Sequence, residues 1–292
     1  MFTFQYTGRY NVENYCAMNM QSVGVTDKGC IRTNNEDSFL IDGNFLIIAD
    51  GMGGAAAGEV ASSMAIDIIS SAVKEHDLRS GKKAMDVVRQ AIEQADSEIK
   101  AASERDRNLE GMGTTAVSAL FLDPRLLIGF VGDSRAYAIS NVGEDPAAPG
   151  ESAANYDAHA QTVVLKKIED ETERPAARDI RRLTDDHSVV MELVHAGVIT
   201  EDEIRSHPLR NRITRCIGSL NKKDPEFLWY DPRPGDTVIL CSDGLWEMVH
   251  EDLMLAIVKS SHEPKEMCQR LISAANDAGG YDNITVIAAL FR

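Results

Sequence analysis

The chain has no C-x-x-C pair and no two cysteines close together: Cys16, Cys30, Cys216, Cys241 and Cys268 are widely spaced. That spacing excludes a disulfide framework and a cysteine-rich zinc site, and it fits a reducing, cytoplasmic location. Basic residues are in deficit, 30 against 46 acidic ones, for a net charge of −16. A general affinity for nucleic acid or for an anionic membrane, both polyanions, is therefore not expected. No stretch approaches a membrane span, and residues 1–20 scatter Gln, Arg, Asn and Glu among aromatics without the apolar core of a signal peptide. Two phosphate chemistries are also missing. No cysteine is followed six positions later by arginine, and no G-x-x-x-x-G-K-[ST] loop occurs.

What is present is a 292-residue chain of 43 % hydrophobic composition, enough for one large core with insertions. Alternation and turn signals predict two hairpins, 38–41 with 45–49 across Asp42-Gly43-Asn44, and 114–122 with 126–131 across Asp123-Pro124-Arg125. Both are apolar at nearly every position, so both faces must be covered, which in a mainly antiparallel protein means a second sheet on one side and helices on the other. Helical spacing supplies the helices over 58–75 and 82–103, then over 188–196, 201–206, 251–259 and 264–277. Further strands are expected at 135–140, 162–168, 237–242 and 283–291. Between the first two of these runs a stretch of Ala, Pro, Gly, Glu and Asp without one Lys or Arg, 141–160, which reads as a surface insertion.

Three of the predicted strands end on an acidic turn: Asp50-Gly51-Met52-Gly53-Gly54, Gly132-Asp133-Ser134-Arg135 and Ser242-Asp243-Gly244. A fourth begins on one, Asp282-Asn283-Ile284. Any single Asp-Gly is ordinarily a turn in which Asp bonds its own backbone and Gly supplies positive φ. Four acidic turns at strand ends, two of them Asp-Gly, point elsewhere, because in an antiparallel sheet the end of one strand lies beside the start of the next, so these carboxylates can converge at one rim. Carboxylates with no His or Cys among them offer hard oxygen donors, which suit Mg²⁺, Mn²⁺ or Ca²⁺ rather than zinc or copper. Arg32, ahead of Thr33-Asn34-Asn35-Glu36-Asp37, carries a planar guanidinium able to grip phosphate with two parallel hydrogen bonds, and Glu36 can hold a metal-bound water. The nucleophile would then be water, activated between two ions for in-line attack on a phosphoryl group.

These residues resemble the metal-dependent protein phosphatases, the PPM or type 2C family in its bacterial form. The matching runs are 26–38 and Ala49-Asp50-Gly51-Met52-Gly53-Gly54, then Gly113-Thr114-Thr115, Gly132-Asp133-Ser134-Arg135, 183–188, Ser242-Asp243-Gly244-Leu245-Trp246 and Asp282-Asn283-Ile284-Thr285, in the family's order over 22–292. The resemblance implies an α+β fold, a four-layer α-β-β-α sandwich of two antiparallel sheets flanked by helix pairs, with a metal centre at one end. It implies Asp50, the Gly51 carbonyl, Asp243 and Asp282 as main ligands of two Mn²⁺ or Mg²⁺ ions, Glu36 serving the second, and Asp133 with Asp243 holding a weaker third. Arg32 would orient the substrate phosphate, and 188–218 would be a flap beside the cleft. Met52 stands where some relatives carry a histidine that protonates the leaving group. His187 and Cys241 are read as structural.

Two features depart from the family pattern, an N-terminal extension over 1–21 and an acidic insertion over about 141–182, either of which could dock a regulator. The implied activity is hydrolysis of phosphoserine and phosphothreonine by a monomer without membrane insertion, opposing Ser/Thr kinases. Two competitors stand beside it: a catalytically idle, metal-stabilised binding module, which would be expected to have lost ligands, and a phosphatase of small metabolites or nucleotide messengers, which the same chemistry serves.

Overall fold

A computed structural model describes residues 2–7, 18–53, 57–78, 80–140, 179–218 and 224–292. The strands are β1 (Phe2–Thr7), β2 (Met20–Asp27), β3 (Asp37–Asp42), β4 (Phe45–Met52), β5 (Gly113–Thr114), β6 (Ala116–Leu122), β7 (Arg125–Val131), β8 (Arg135–Ile139), β9 (Ile180–Arg182), β10 (Glu226–Tyr230), β11 (Thr237–Cys241) and β12 (Ile284–Phe291). The helices are α1 (Ala57–Glu75), α2 (Gly81–Arg105), α3 (Val189–His195), α4 (Asp243–Trp246), α5 (Glu251–Lys259) and α6 (Pro264–Asp277), with 3₁₀ turns at Arg107–Leu109 and Glu201–Ser206.

One sheet runs β1-β2-β12-β11-β8-β9 and the other β10-β7-β6-β4-β3, with β5 paired to β4; every pairing is antiparallel. Side chains alternate along each strand and so divide between two layers of core. Leu46, Ile48, Val238 and Leu240 meet between the sheets, with Ile128, Ile287 and Phe291. Phe45, Ile47 and Ala49 point the other way, against α1 and α2. Ile239 and Cys241 point against α4, α5 and α6. The strands are apolar on both faces because both faces are covered, and the result is the four-layer sandwich expected. Cys241 is strand packing, fully buried.

The first hairpin closes through Gly43 and Asn44, with Asp42 opposite Phe45 and Gly43 at φ +60°, a conformation that favours glycine. The second closes on Asp123 and Pro124, a residue tighter than expected, with Leu122 opposite Arg125. Residues 113–114, expected to lead into that hairpin's first strand, form the separate β5 against Gly51 and Met52. Thr115 interrupts the ladder there, because its hydroxyl rather than its carbonyl accepts from the Asp50 N–H, at 3.0 Å.

Two sequence boundaries need correcting. Strand β2 starts at Met20 and Phe2–Thr7 pairs along it, so the division between an extension over 1–21 and a domain from 22 cuts through the sheet. Ile180–Arg182, assigned to the insertion, pairs with β8. The strand expected at 162–168, and most of the insertion, lie outside the described residues. No helix among the described residues is long and apolar enough to cross a membrane.

Candidate metal centre

The end of β4, the β7–β8 turn, the start of α4 and the residue leading into β12 bring their aspartates to one cleft. Burial raises the pKa of Asp50 well above the carboxylate range, and the charges of Asp243, Asp37, Asp133 and Asp282 raise it further. Burial likewise raises Asp243 well above that range, with Asp133 and Asp282 adding to it. Asp133 is buried and pushed to about 7, by burial first and then by Asp186. Convergence of the four acidic turns is thus what the fold delivers.

Glu36 and Arg32 reach the same cleft from the loop between β2 and β3. Arg32 Nη2 donates to Asp282 Oδ2 at 2.6 Å. Burial raises the Glu36 carboxyl while Arg32 pulls it down. A Cβ on Gly58 would stand 2.6 Å from Glu36 Oε2, so glycine in the first turn of α1 is what lets that carboxylate lie against the helix N-terminus. Gly51 is under a similar demand, since a Cβ there would be 2.1 Å from the Gly58 carbonyl oxygen. Met52 ends β4 and is partly exposed.

Several residues that hold this arrangement carried no role in the sequence reading. Asp37 lies opposite Asp50 across the β3–β4 ladder and is buried. Ser242 Oγ and Thr285 Oγ1 each donate to its Oδ2 at 2.7 Å, yet burial still lifts it to about 6. Asn283 Nδ2 donates to the carbonyls of Lys28 (3.0 Å) and Asn34 (2.8 Å), while its Oδ1 accepts from the Glu36 N–H at 2.8 Å. One amide therefore fixes the Arg32–Glu36 loop beside Asp282. Thr115 Oγ1 bonds Ser134 Oγ at 2.8 Å, coupling the Asp50 and Asp133 turns.

The Asp133 turn is held from two more sides. Trp246 Nε1 donates to the Asp133 carbonyl at 2.9 Å, and the Arg135 guanidinium lies 3.5 Å from the centre of the Trp246 ring while pairing with Asp186 through two bonds of 2.8 and 2.6 Å. His187 is buried; its Nδ1 accepts from the Gly132 N–H at 3.1 Å and its own N–H donates to the Gly132 carbonyl at 2.9 Å. Its Nε2 lies 3.1 Å from Arg215 Nη1 and 3.3 Å from Glu226 Oε1. His187 and then Arg215 hold Glu226 down at about 2. His187 is thus structural, as expected. Residues 188–218 form α3, the 3₁₀ turn and a return segment around a small core of Val190, Met191 and Ile204. That unit is tied to α4 by Arg205 Nη2, which donates to the Trp246 carbonyl at 2.6 Å.

The donor set is one of hard oxygens in a partly desolvated cleft, where several ionised carboxylates repel one another unless a cation offsets them. Among the described residues no three of them close into a shell as placed. The Arg32 guanidinium pairs with Asp282 at the edge of the set. The residues fit a divalent ion of the Mg²⁺ or Mn²⁺ kind.

A family model described as protein phosphatase 2C matches residues 32–277. The serine/threonine phosphatase stp of Listeria monocytogenes is 35 % identical over 268 residues, 90 % of this chain and 92 % of that protein. The crystal structure of the Mycobacterium tuberculosis serine/threonine phosphatase PstP/Ppp is 32 % identical with a TM-score of 0.73, covering 92 % of this chain and 97 % of that one. The catalytic domain of PstP in complex with two manganese ions is 30 % identical with a TM-score of 0.72, over 94 % and 99 % of the two chains.

Proposed function

The chain belongs to the protein phosphatase 2C family, and from that premise we propose that its acidic cleft is the active site of a metal-dependent serine/threonine protein phosphatase acting on phosphoproteins. Asp50, Gly51, Asp243 and Asp282 would hold two divalent ions, with Glu36 beside the second and Asp133 with Asp243 at a weaker third. The observation that carries this reading is the gathering of carboxylates from separate strand ends, whose charges raise the pKa of Asp50 and of Asp243. Bound Mn²⁺ or Mg²⁺ would supply an acidified water as nucleophile and polarise the phosphoryl oxygens.

The chain's own residues supply the positioning. Arg32 is half-exposed at the cleft and offers its remaining N–H groups to a phosphate, which would share it with Asp282. Asp37, buried beneath Asp50 and bonded to two hydroxyls, fixes the base of the site. With Met52 unable to donate a proton, protonation of the leaving alkoxide falls to water. The unit at 188–218, tethered to α4 through Arg205, is placed to influence access as a flap. The cellular role that follows is reversal of Ser/Thr kinase action by a cytoplasmic monomer.

The test is hydrolysis of para-nitrophenyl phosphate with Mn²⁺. Activity is expected to vanish in EDTA and in Asp50→Asn, and full activity in EDTA would overturn the reading. Faster turnover of nucleotides than of phosphopeptides would favour a small-molecule substrate instead.

A further inference from the structure

Four large hydrophobic side chains stand exposed among the described residues, Ile31, Val198, Leu253 and Tyr281. Two of them are the chain neighbours of Arg32 and Asp282. Ile31 is 64 % and Tyr281 62 % exposed, so each offers apolar surface to water directly beside the proposed phosphate-binding arginine and a proposed metal ligand.

The backbone joins the two. The Gly280 carbonyl accepts from the N–H groups of both Cys30 (2.8 Å) and Ile31 (3.3 Å), which locks the loop carrying Ile31 against the turn carrying Tyr281. That turn is built of Gly279 at φ +128° and Gly280 at φ +51°. A Cβ on Gly279 would lie 2.9 Å from Cε2 and Cζ of Tyr281, so the hydroxyl end of the ring packs close to the glycine and is restrained on that side. An aromatic ring held in place before binding loses little conformational freedom on contact, which is what makes tyrosine effective at recognition surfaces.

We propose that Ile31 and Tyr281 form an apolar lip that receives a hydrophobic side chain of the phosphoprotein substrate, one or two residues from the phosphoserine or phosphothreonine. The occupant follows from continuity with the site. The lip residues are bonded to Arg32 and Asp282, about 3.8 Å away between Cα atoms, and an extended peptide advances about 3.3 Å per residue. A phosphoresidue gripped at Arg32 therefore has its near neighbours within reach of Ile31 and Tyr281. This inference rests on the phosphatase reading above.

The test compares two phosphothreonine peptides, one with leucine and one with glycine at the two positions on each side of the phosphoresidue, cleaved with Mn²⁺. The measured quantity is the ratio of their kcat/KM values, which cancels any general effect on catalysis. Wild type is expected to prefer the leucine peptide about tenfold, within the range one apolar contact gives. Ile31→Ser and Tyr281→Ser should each bring the ratio below about threefold, while Tyr281→Phe keeps it. A wild-type ratio near one, or serine variants that retain the preference, would overturn the lip while leaving the phosphatase reading intact. Failure of wild type to cleave either peptide would overturn both.

Discussion

Arg32 and Asp282 meet at 2.6 Å on the surface of the cleft, and in the proposed site the arginine would have two tasks. It would offset a carboxylate and present the donors that a phosphate needs. Arg32→Ala is expected to lower kcat/KM for a phosphate ester about 10- to 100-fold, the worth of one or two charge-assisted hydrogen bonds, while calorimetry finds Mn²⁺ still bound. Loss of Mn²⁺ binding in that variant would show the guanidinium to be part of the metal site instead. At this scale the sequence was readable where acidic residues recur at strand ends: Asp50, Asp133, Asp243 and Asp282 gather there, with Glu36 and Arg32 beside them. The supports were not, because their types are commonplace. Nothing in the letters distinguishes Asp37, Ser242, Thr285 or Asn283 from any polar residue near a turn, and their roles exist only once β3, β4, α4 and β12 are side by side.

Among elements, the interrupted and the short ones were the hardest to read. Strand β2 carries Gly24, a residue that weakens a strand pattern; in the fold it makes room for Phe39, whose ring would lie 2.4 Å from a Cβ at that position. Strand β10 is a half-exposed edge strand and α4 is one turn long, so neither shows a period. The amphipathic helices and the doubly apolar strands were legible because a period repeated over many residues is a strong signal. What sets β8 beside the 183–188 segment is the buried Arg135–Asp186 pair. Removing one partner leaves an uncompensated buried charge, so Asp186→Ala should cost about 3–5 kcal/mol. Urea unfolding measures it, and a loss under about 1 kcal/mol would show that solvent reaches Arg135.

For the whole molecule, the cleft sets the response to pH. Asp37 at about 6 and Asp133 at about 7 bind protons more tightly folded than unfolded, where both titrate near 3.8. The metal-free folded state thus holds more protons between about pH 4 and 7, and its stability falls as pH rises through that window. Bound metal inverts the dependence, since it requires ionised carboxylates and releases their protons. Thermal melts are expected to give a lower Tm for EDTA-treated protein at pH 8 than at pH 5.5, and a Mn²⁺-induced rise in Tm that grows with pH. A metal-independent, flat profile would contradict the assignment.

The indole of Trp246 touches the Asp133 turn through its N–H, the Arg135 guanidinium through its ring and the 188–218 unit through its backbone carbonyl. The chain has only one other tryptophan, Trp229. Trp229→Phe therefore leaves a single built-in optical reporter at the junction of the Asp133 turn, the Arg135–Asp186 pair and the 188–218 unit. Its emission should change in intensity or wavelength on titration with Mn²⁺, and a second, separate change on adding phosphopeptide would show that substrate is felt at the 188–218 unit, without any attached dye.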